Sequence, residues 1–282
     1  MTKYFNWAYL IVLMFTIGAA SAYADTVPSS GAVSAERGSL SNIADSLMVK
    51  YWANYMGPSI GAPSGYTTDA NGVTDKKAQN ADNLFNVAYR YSPALAVGMG
   101  MPFNLFPIVN SGAQIKPLYL GVIEGVLIKT PHLLIATDVR FYTPIGDVAQ
   151  NQNVLTGFRT SQITLYTVPD TRITLGCYDY VRTWAYGPNG HGFRTDFEFY
   201  VSPFANYSMT SSLSATLWSD ILQVSHQFGK RWGLQNLPID FEPGIKWDIT
   251  RFINVNPFIN IIPSSLTVDS MAAGMVVNAK FL

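Results

Sequence analysis

The chain has 282 residues and no formal net charge, with 13% charged residues against 48% hydrophobic ones. Typical globular domains carry about 25% charge, and the balanced total argues against nucleic acid as a partner. A single cysteine, Cys177, excludes an intramolecular disulfide framework.

The first predicted element is a leader. "MTKYFNWAYLIVLMFTIGAASAYA" gives one lysine, an apolar run from Trp7 to Ile17, and small residues ending Ala22-Tyr23-Ala24. That order predicts a secretory signal, residues 1–24, cleaved after Ala24; its apolar core is short for a spanning helix. Residues 25–46 follow as a polar, Ser-rich segment, expected to be a frayed terminus or a plug.

From residue 47 hydrophobicity recurs every second position, the period of a strand with two unlike faces. About twelve such segments are predicted, near 47–57, 82–92, 95–103, 115–128, 133–143, 158–168, 172–183, 195–203, 211–222, 239–249, 253–262 and 269–282. Most are close to the ~9–11 residues that a tilted membrane-crossing strand needs. Connections after even segments are mostly short, as in Ser92-Pro93-Ala94, Lys129-Thr130-Pro131-His132, Pro169-Asp170-Thr171 and Thr250-Arg251-Phe252. Those after odd segments are mostly longer and polar, although 203–211 is long for its class and 263–268 short. No linker divides 47–282, so one domain is expected.

One predicted face collects Tyr51, Phe85, Tyr89, Met99, Ile163, Leu165, Leu217, Phe241, Ile245, Trp247 and Met275. The other collects charge and amide, with Thr160 and Gln162 among it. Hydrocarbon offers the backbone no water, so such strands survive there only when closed into a ring. The predicted fold class is therefore all-β, a closed antiparallel transmembrane β-barrel of twelve strands.

On these features the chain resembles the Gram-negative outer-membrane β-barrel class, of the porin-like sort. The last segment, "SMAAGMVVNAKFL", is similar to the C-terminal recognition strand of that class, although Phe281 is penultimate and Leu282 ends the chain. The resemblance implies export through the periplasm to the outer membrane. It implies short periplasmic turns, longer extracellular loops, and a periplasmic 25–46 segment. It also implies passive diffusion of small polar solutes through a charged lumen. Two other readings stand beside it: an oligomeric structural or lipid-interacting barrel with a filled lumen, and a channel for hydrophobic solutes.

The expected lumen residues are Lys50, Arg90, Asp138, Arg140, Arg172, Arg182, Asp196, Glu198, Asp220, Asp240, Glu242, Lys246, Asp248 and Lys280. Asp196, Glu198, Asp220, Asp240 and Glu242 fall on three neighbouring strands, with Arg140 and Arg182 elsewhere on the wall. Acids opposite bases would set a transverse field across a pore, or would interlock and fill it. No Ca²⁺-loop pattern is present, and no metal or cofactor is expected. No enzyme is expected either: of His132, His191 and His226, only His226 adjoins a serine, Ser225, and successive strand residues point to opposite faces. Expected partners are outer-membrane lipid, lipopolysaccharide at Lys76, Lys77, Lys230 and Arg231, small solutes, and further copies of the chain.

Some elements resist the scheme. Segment 115–128 is apolar on both faces but for Glu124, and 172–183 puts Asp179 beside Leu175 and Cys177. A bulge would re-aim these side chains; alternatively, 115–128 packs against another subunit, or its inner face meets lipid or an apolar ligand. Pro243 and Pro257 each predict a bulge or a lost ladder bond.

Overall fold

The computed structural model describes residues 46–60, 67–68, 74–75, 80–106, 112–188, 195–230, 233–236 and 238–281. The predicted leader, residues 25–45, Lys76, Lys77, His191 and Arg231 lie outside the described residues. Twelve antiparallel strands form a closed barrel. They are β1 (Leu47–Ser59), β2 (Asn80–Ser92), β3 (Leu95–Phe106), β4 (Tyr119–Lys129), β5 (Leu133–Tyr142) and β6 (Val154–Thr167). The ring continues with β7 (Ile173–Tyr186), β8 (Thr195–Ser208), β9 (Leu213–Asp220, resumed after Ile221 as Leu222–Gln227), β10 (Asp240–Asp248), β11 (Ile253–Asn260) and β12 (Ala272–Lys280). Each strand pairs with its neighbours in sequence, and β12 closes on β1 from Lys50↔Lys280 to Met56↔Gly274. Closure leaves no unpaired edge, which is what a strand in hydrocarbon requires.

Connections sort by length onto the two ends of the barrel. One end holds the turns at 93–94, 130–132, 168–172, 209–212 and 249–252; the other holds the longer connections, among them 143–153, which carries the short helix α1 (Asp147–Gln152). The two lengths that broke the predicted parity rule disappear. β8 runs to Ser208, which leaves only 209–212, and β12 begins at Ala272, which leaves 261–271. Threonine closes three of the turns by one device: the Thr130, Thr210 and Thr250 hydroxyls accept from the backbone N–H three residues on, at 2.9, 3.0 and 3.1 Å. Such hydroxyl-capped turns are a local preference of the residue itself.

Among the register shifts, two re-aim polar side chains of the lumen. Between β3 and β4 the register slips at Val122–Gly125, opposite Ala96 and Val97. This bulge turns Glu124 inward and explains how an apolar strand contributes a lumen acid. Another bulge at Ile221 lets Asp220 and Gln223 both point inward, although they stand three positions apart on the strand. No bulge occurs near Asp179: β7 keeps unbroken register with β8 and with β6 on both sides of it. Pro243 and Pro257 produce a thinned ladder in place of a bulge. Between β10 and β11 only Gly244↔Phe258, Trp247↔Val255, Asp248↔Asn254 and the lone bridge Phe241↔Ile261 pair, all in one register.

Cross-strand neighbours share a face, and this corrects the predicted facing of β6. Thr160 pairs with Val139 and Val181, and Gln162 with Thr137 and Asp179, all on the outer wall. Ile163 and Leu165 therefore point inward. Elsewhere the outer wall is as expected, with Phe85, Tyr89, Met99, Leu217, Ile245 and Trp247 exposed.

Candidate functional site in the lumen

The inner wall is built on glycines opposite rings. Tyr119 lies across Gly100, Trp184 across Gly157, Phe204 across Gly176 and Phe258 across Gly274, each a register pair. A Cβ on any of these glycines would fall 2.2–2.3 Å from the ring. Rings lie flat along the wall because the neighbouring strand has no side chain there. Phe204 also stacks on Trp218, with centroids 3.9 Å apart.

Charge is concentrated in one transverse row. Arg140, Arg159 and Arg182 are consecutive cross-strand neighbours on β5, β6 and β7, and the row continues into Glu198 on β8. In the other direction it runs into Gly121 and Gly98 on β4 and β3, so that stretch of wall has no side chains. Asp138 holds Arg140 at both oxygens, 3.1 and 2.7 Å, and the guanidinium lies 4.8 Å from the Tyr119 ring. Arg159 stacks 4.1 Å from the Tyr180 ring and donates to the Tyr178 hydroxyl. Glu198 is buried and takes hydrogen bonds from Arg182, from Tyr180 at 2.5 Å and from Gln223 at 2.7 Å.

Beyond Glu198 the wall is acidic. Asp220 accepts from the Tyr200 hydroxyl, and its own backbone N–H reaches Asp240 Oδ1 at 3.3 Å. One amide, Asn260 Nδ2, serves both Asp240 at 2.8 Å and Glu242 at 3.2 Å. Among the described residues no cation pairs with Asp220, Asp240 or Glu242. The lumen wall therefore carries guanidinium on β5–β7 and carboxylate on the adjoining strands β8–β10.

The other expected residues separate into smaller groups. Lys50 and Arg90 converge on Glu124, at 2.6 and 3.3 Å, towards the turn end. Lys246 and Asp248 pair at 3.2 Å, both half-exposed. Lys280 is exposed and lies beside Lys50 in register. Lys50, Asp248 and Lys280 border a cavity of about 800 Å³ at the turn end, lined also by Trp52, Arg251, Asn254 and Asn278. Asp196 meets His226 Nδ1 at 2.6 Å, and His226 sits buried on β9 instead of in the expected loop. Arg172 is corrected: it precedes β7, is exposed in the 168–172 turn, and donates to the Met209 carbonyl at 3.2 Å.

Sequence reasoning missed Arg159, Glu124 and the tyrosines. Arg159 carried its own signal. An arginine facing lipid at mid-depth costs roughly 2–4 kcal/mol, so Arg159 belongs on the inner face and its neighbour Thr160 on the outer one.

Among solved structures, an outer membrane channel from Pseudomonas putida F1 aligns with a TM-score of 0.52 at 10% identity, covering 83% of this chain and 94% of that one. The chain is a barrel of the outer-membrane type. The NanC porin superposes on the barrel with a TM-score of 0.45 at 8% identity, covering 83% and 99% of the two chains. LpxR from Salmonella typhimurium gives 0.39 at 10% identity, covering 84% and 100%. No family model matches the barrel's sequence, and the search of curated proteins returns no match.

Proposed function

We propose that the barrel is a passive channel of the outer membrane for small polar solutes, with its short turns in the periplasm. The observation that supports this most is the transverse row. Three arginines and Glu198 stand side by side on four consecutive strands, while Gly121 and Gly98 carry no side chain on the next two. Fixed charges gathered on one side of a lumen form a constriction that orients dipolar solutes and excludes large ones. The turn-end cavity provides a vestibule beneath it. The neighbour from Pseudomonas putida F1 is described as a channel, and we extend that reading to this barrel. Its outer wall meets lipid and, at Lys230 in a loop, lipopolysaccharide phosphate.

Planar-bilayer recording of the purified barrel tests the reading. Discrete conductance steps are expected, with liposome swelling in small sugars that falls off as sugar size rises. A baseline without steps above leak would remove it. A filled structural barrel is the second reading, supported by the three donors that saturate Glu198. It predicts no steps at all. We read the barrel as non-enzymatic: His226 is held by Asp196, and Ser225 lies opposite Glu198 in register. Phospholipid turnover by purified barrel that is lost in His226→Ala would overturn this.

A further inference from the structure

The outer wall of β5–β7 is unlike the rest of the barrel surface. Asp179 lies at the middle of β7, and Gln162 is its direct neighbour on β6. The same face carries Thr137, Thr160 and Thr183, with Cys177 one pleat from Asp179. Large exposed apolar residues on these strands occur only towards their ends, at Phe141, Leu155, Tyr166, Ile173 and Leu175. At mid-wall positions on β3 and β9, by contrast, Met99 and Leu217 are 59% and 45% exposed. Among the described residues no donor reaches the Asp179 carboxylate. Gln162 uses one N–H on Thr164 at 3.3 Å, and its carbonyl and other N–H have no described partner.

Hydrocarbon cannot solvate this patch, and ionisable residues inside membranes almost always face protein or water. We propose that the outer face of β5–β7 is a homodimer interface, seated on a second copy of this chain about a two-fold axis at the Gln162–Asp179 pair. The patch is self-complementary. A carboxylate offers acceptors only, whereas the amide and threonines beside it donate. A two-fold axis sets Gln162 of each copy against Asp179 of the other, which is the geometry of an isologous contact. The small side chains around the pair allow the two walls to approach closely. The interface does not depend on whether the lumen conducts.

The lone Cys177 reports on it directly. Barrel reconstituted into phosphatidylethanolamine–phosphatidylglycerol vesicles is treated with a short bis-maleimide and resolved after boiling. A covalent dimer is expected whose yield persists when the vesicles are diluted with lipid. It is lost in Cys177→Ser, and it is not recovered when Met99→Cys is added to that background. Asp179→Leu lowers the dimer yield several-fold while the unboiled barrel still migrates as folded, and Asp179→Asn retains more of it. Gln162→Leu serves the same purpose should Asp179→Leu fail to fold. A yield that falls in proportion to lipid dilution, an equal yield from Met99→Cys, an undiminished dimer in Asp179→Leu, or a trimer by native mass analysis would each overturn the proposal.

Discussion

A methyl group added at Gly176 would lie 2.2 Å from Cζ of Phe204, which is itself stacked on Trp218. The ring cannot give way without disturbing that stack, and overpacking of this kind costs about 1–3 kcal/mol. Gly176→Ala is therefore expected to lower the urea midpoint of the folded barrel in vesicles, and adding Phe204→Leu is expected to restore part of it. An unchanged midpoint in the single variant would show that the wall relaxes around the methyl. The glycine–ring alternation is visible in the sequence as residues, but not as pairs. Gly176 and Phe204 meet only because β7 and β8 adopt one register among several that preserve alternation.

At the level of elements, β6 and the β10–β11 seam make separate predictions. With Ile163 inward and Gln162 outward, a charged thiol reagent should label Ile163→Cys and not Gln162→Cys, each in a Cys177→Ser background. The opposite result would return β6 to the facing expected from hydropathy. The β10–β11 ladder lacks pairs around Pro243 and Pro257, whereas β6–β7 pairs at almost every residue. Amides bonded across β10–β11 should exchange with solvent faster than those across β6–β7, since local opening follows local hydrogen bonding. Equal protection along both seams would contradict this. The prolines themselves announced a lost bond. That both losses fall on one seam was not legible, because it depends on which neighbour each missing N–H faces.

For the whole molecule, the row of arginines beside the acidic strands sets the expected response to voltage and salt. Arg182→Ala should shift the reversal potential towards cation selectivity, and Glu198→Gln towards anion selectivity. Both shifts should shrink between 0.1 M and 1 M salt, as the Debye length falls from about 10 Å to about 3 Å. Shifts of the same sign, or shifts indifferent to salt, would mean that these charges do not border the conducting path.

Alternation and loop parity determined the class, the strand number and the approximate place of each strand from Leu47 to Lys280, but not the ends: β8 and β9 run five residues further than the hydropathy pattern, to Ser208 and Gln227. Both follow from local constraints: a strand repeats every two residues, and hydrocarbon permits only a closed ring. Most lumen charges were legible for the same reason, since a charge on an alternating strand has one tolerable side. The tertiary structure decided what depends on register and on extra residues. The Ile123 bulge turned Glu124 inward to Lys50 and Arg90, and the Ile221 bulge brought Gln223 to Glu198. It aligned Arg140, Arg159 and Arg182 into one row, and it left Asp179 outside, where no bulge redirects it. Period says which side of its own strand a residue takes. Only the pairing of strands says which residue stands across from it.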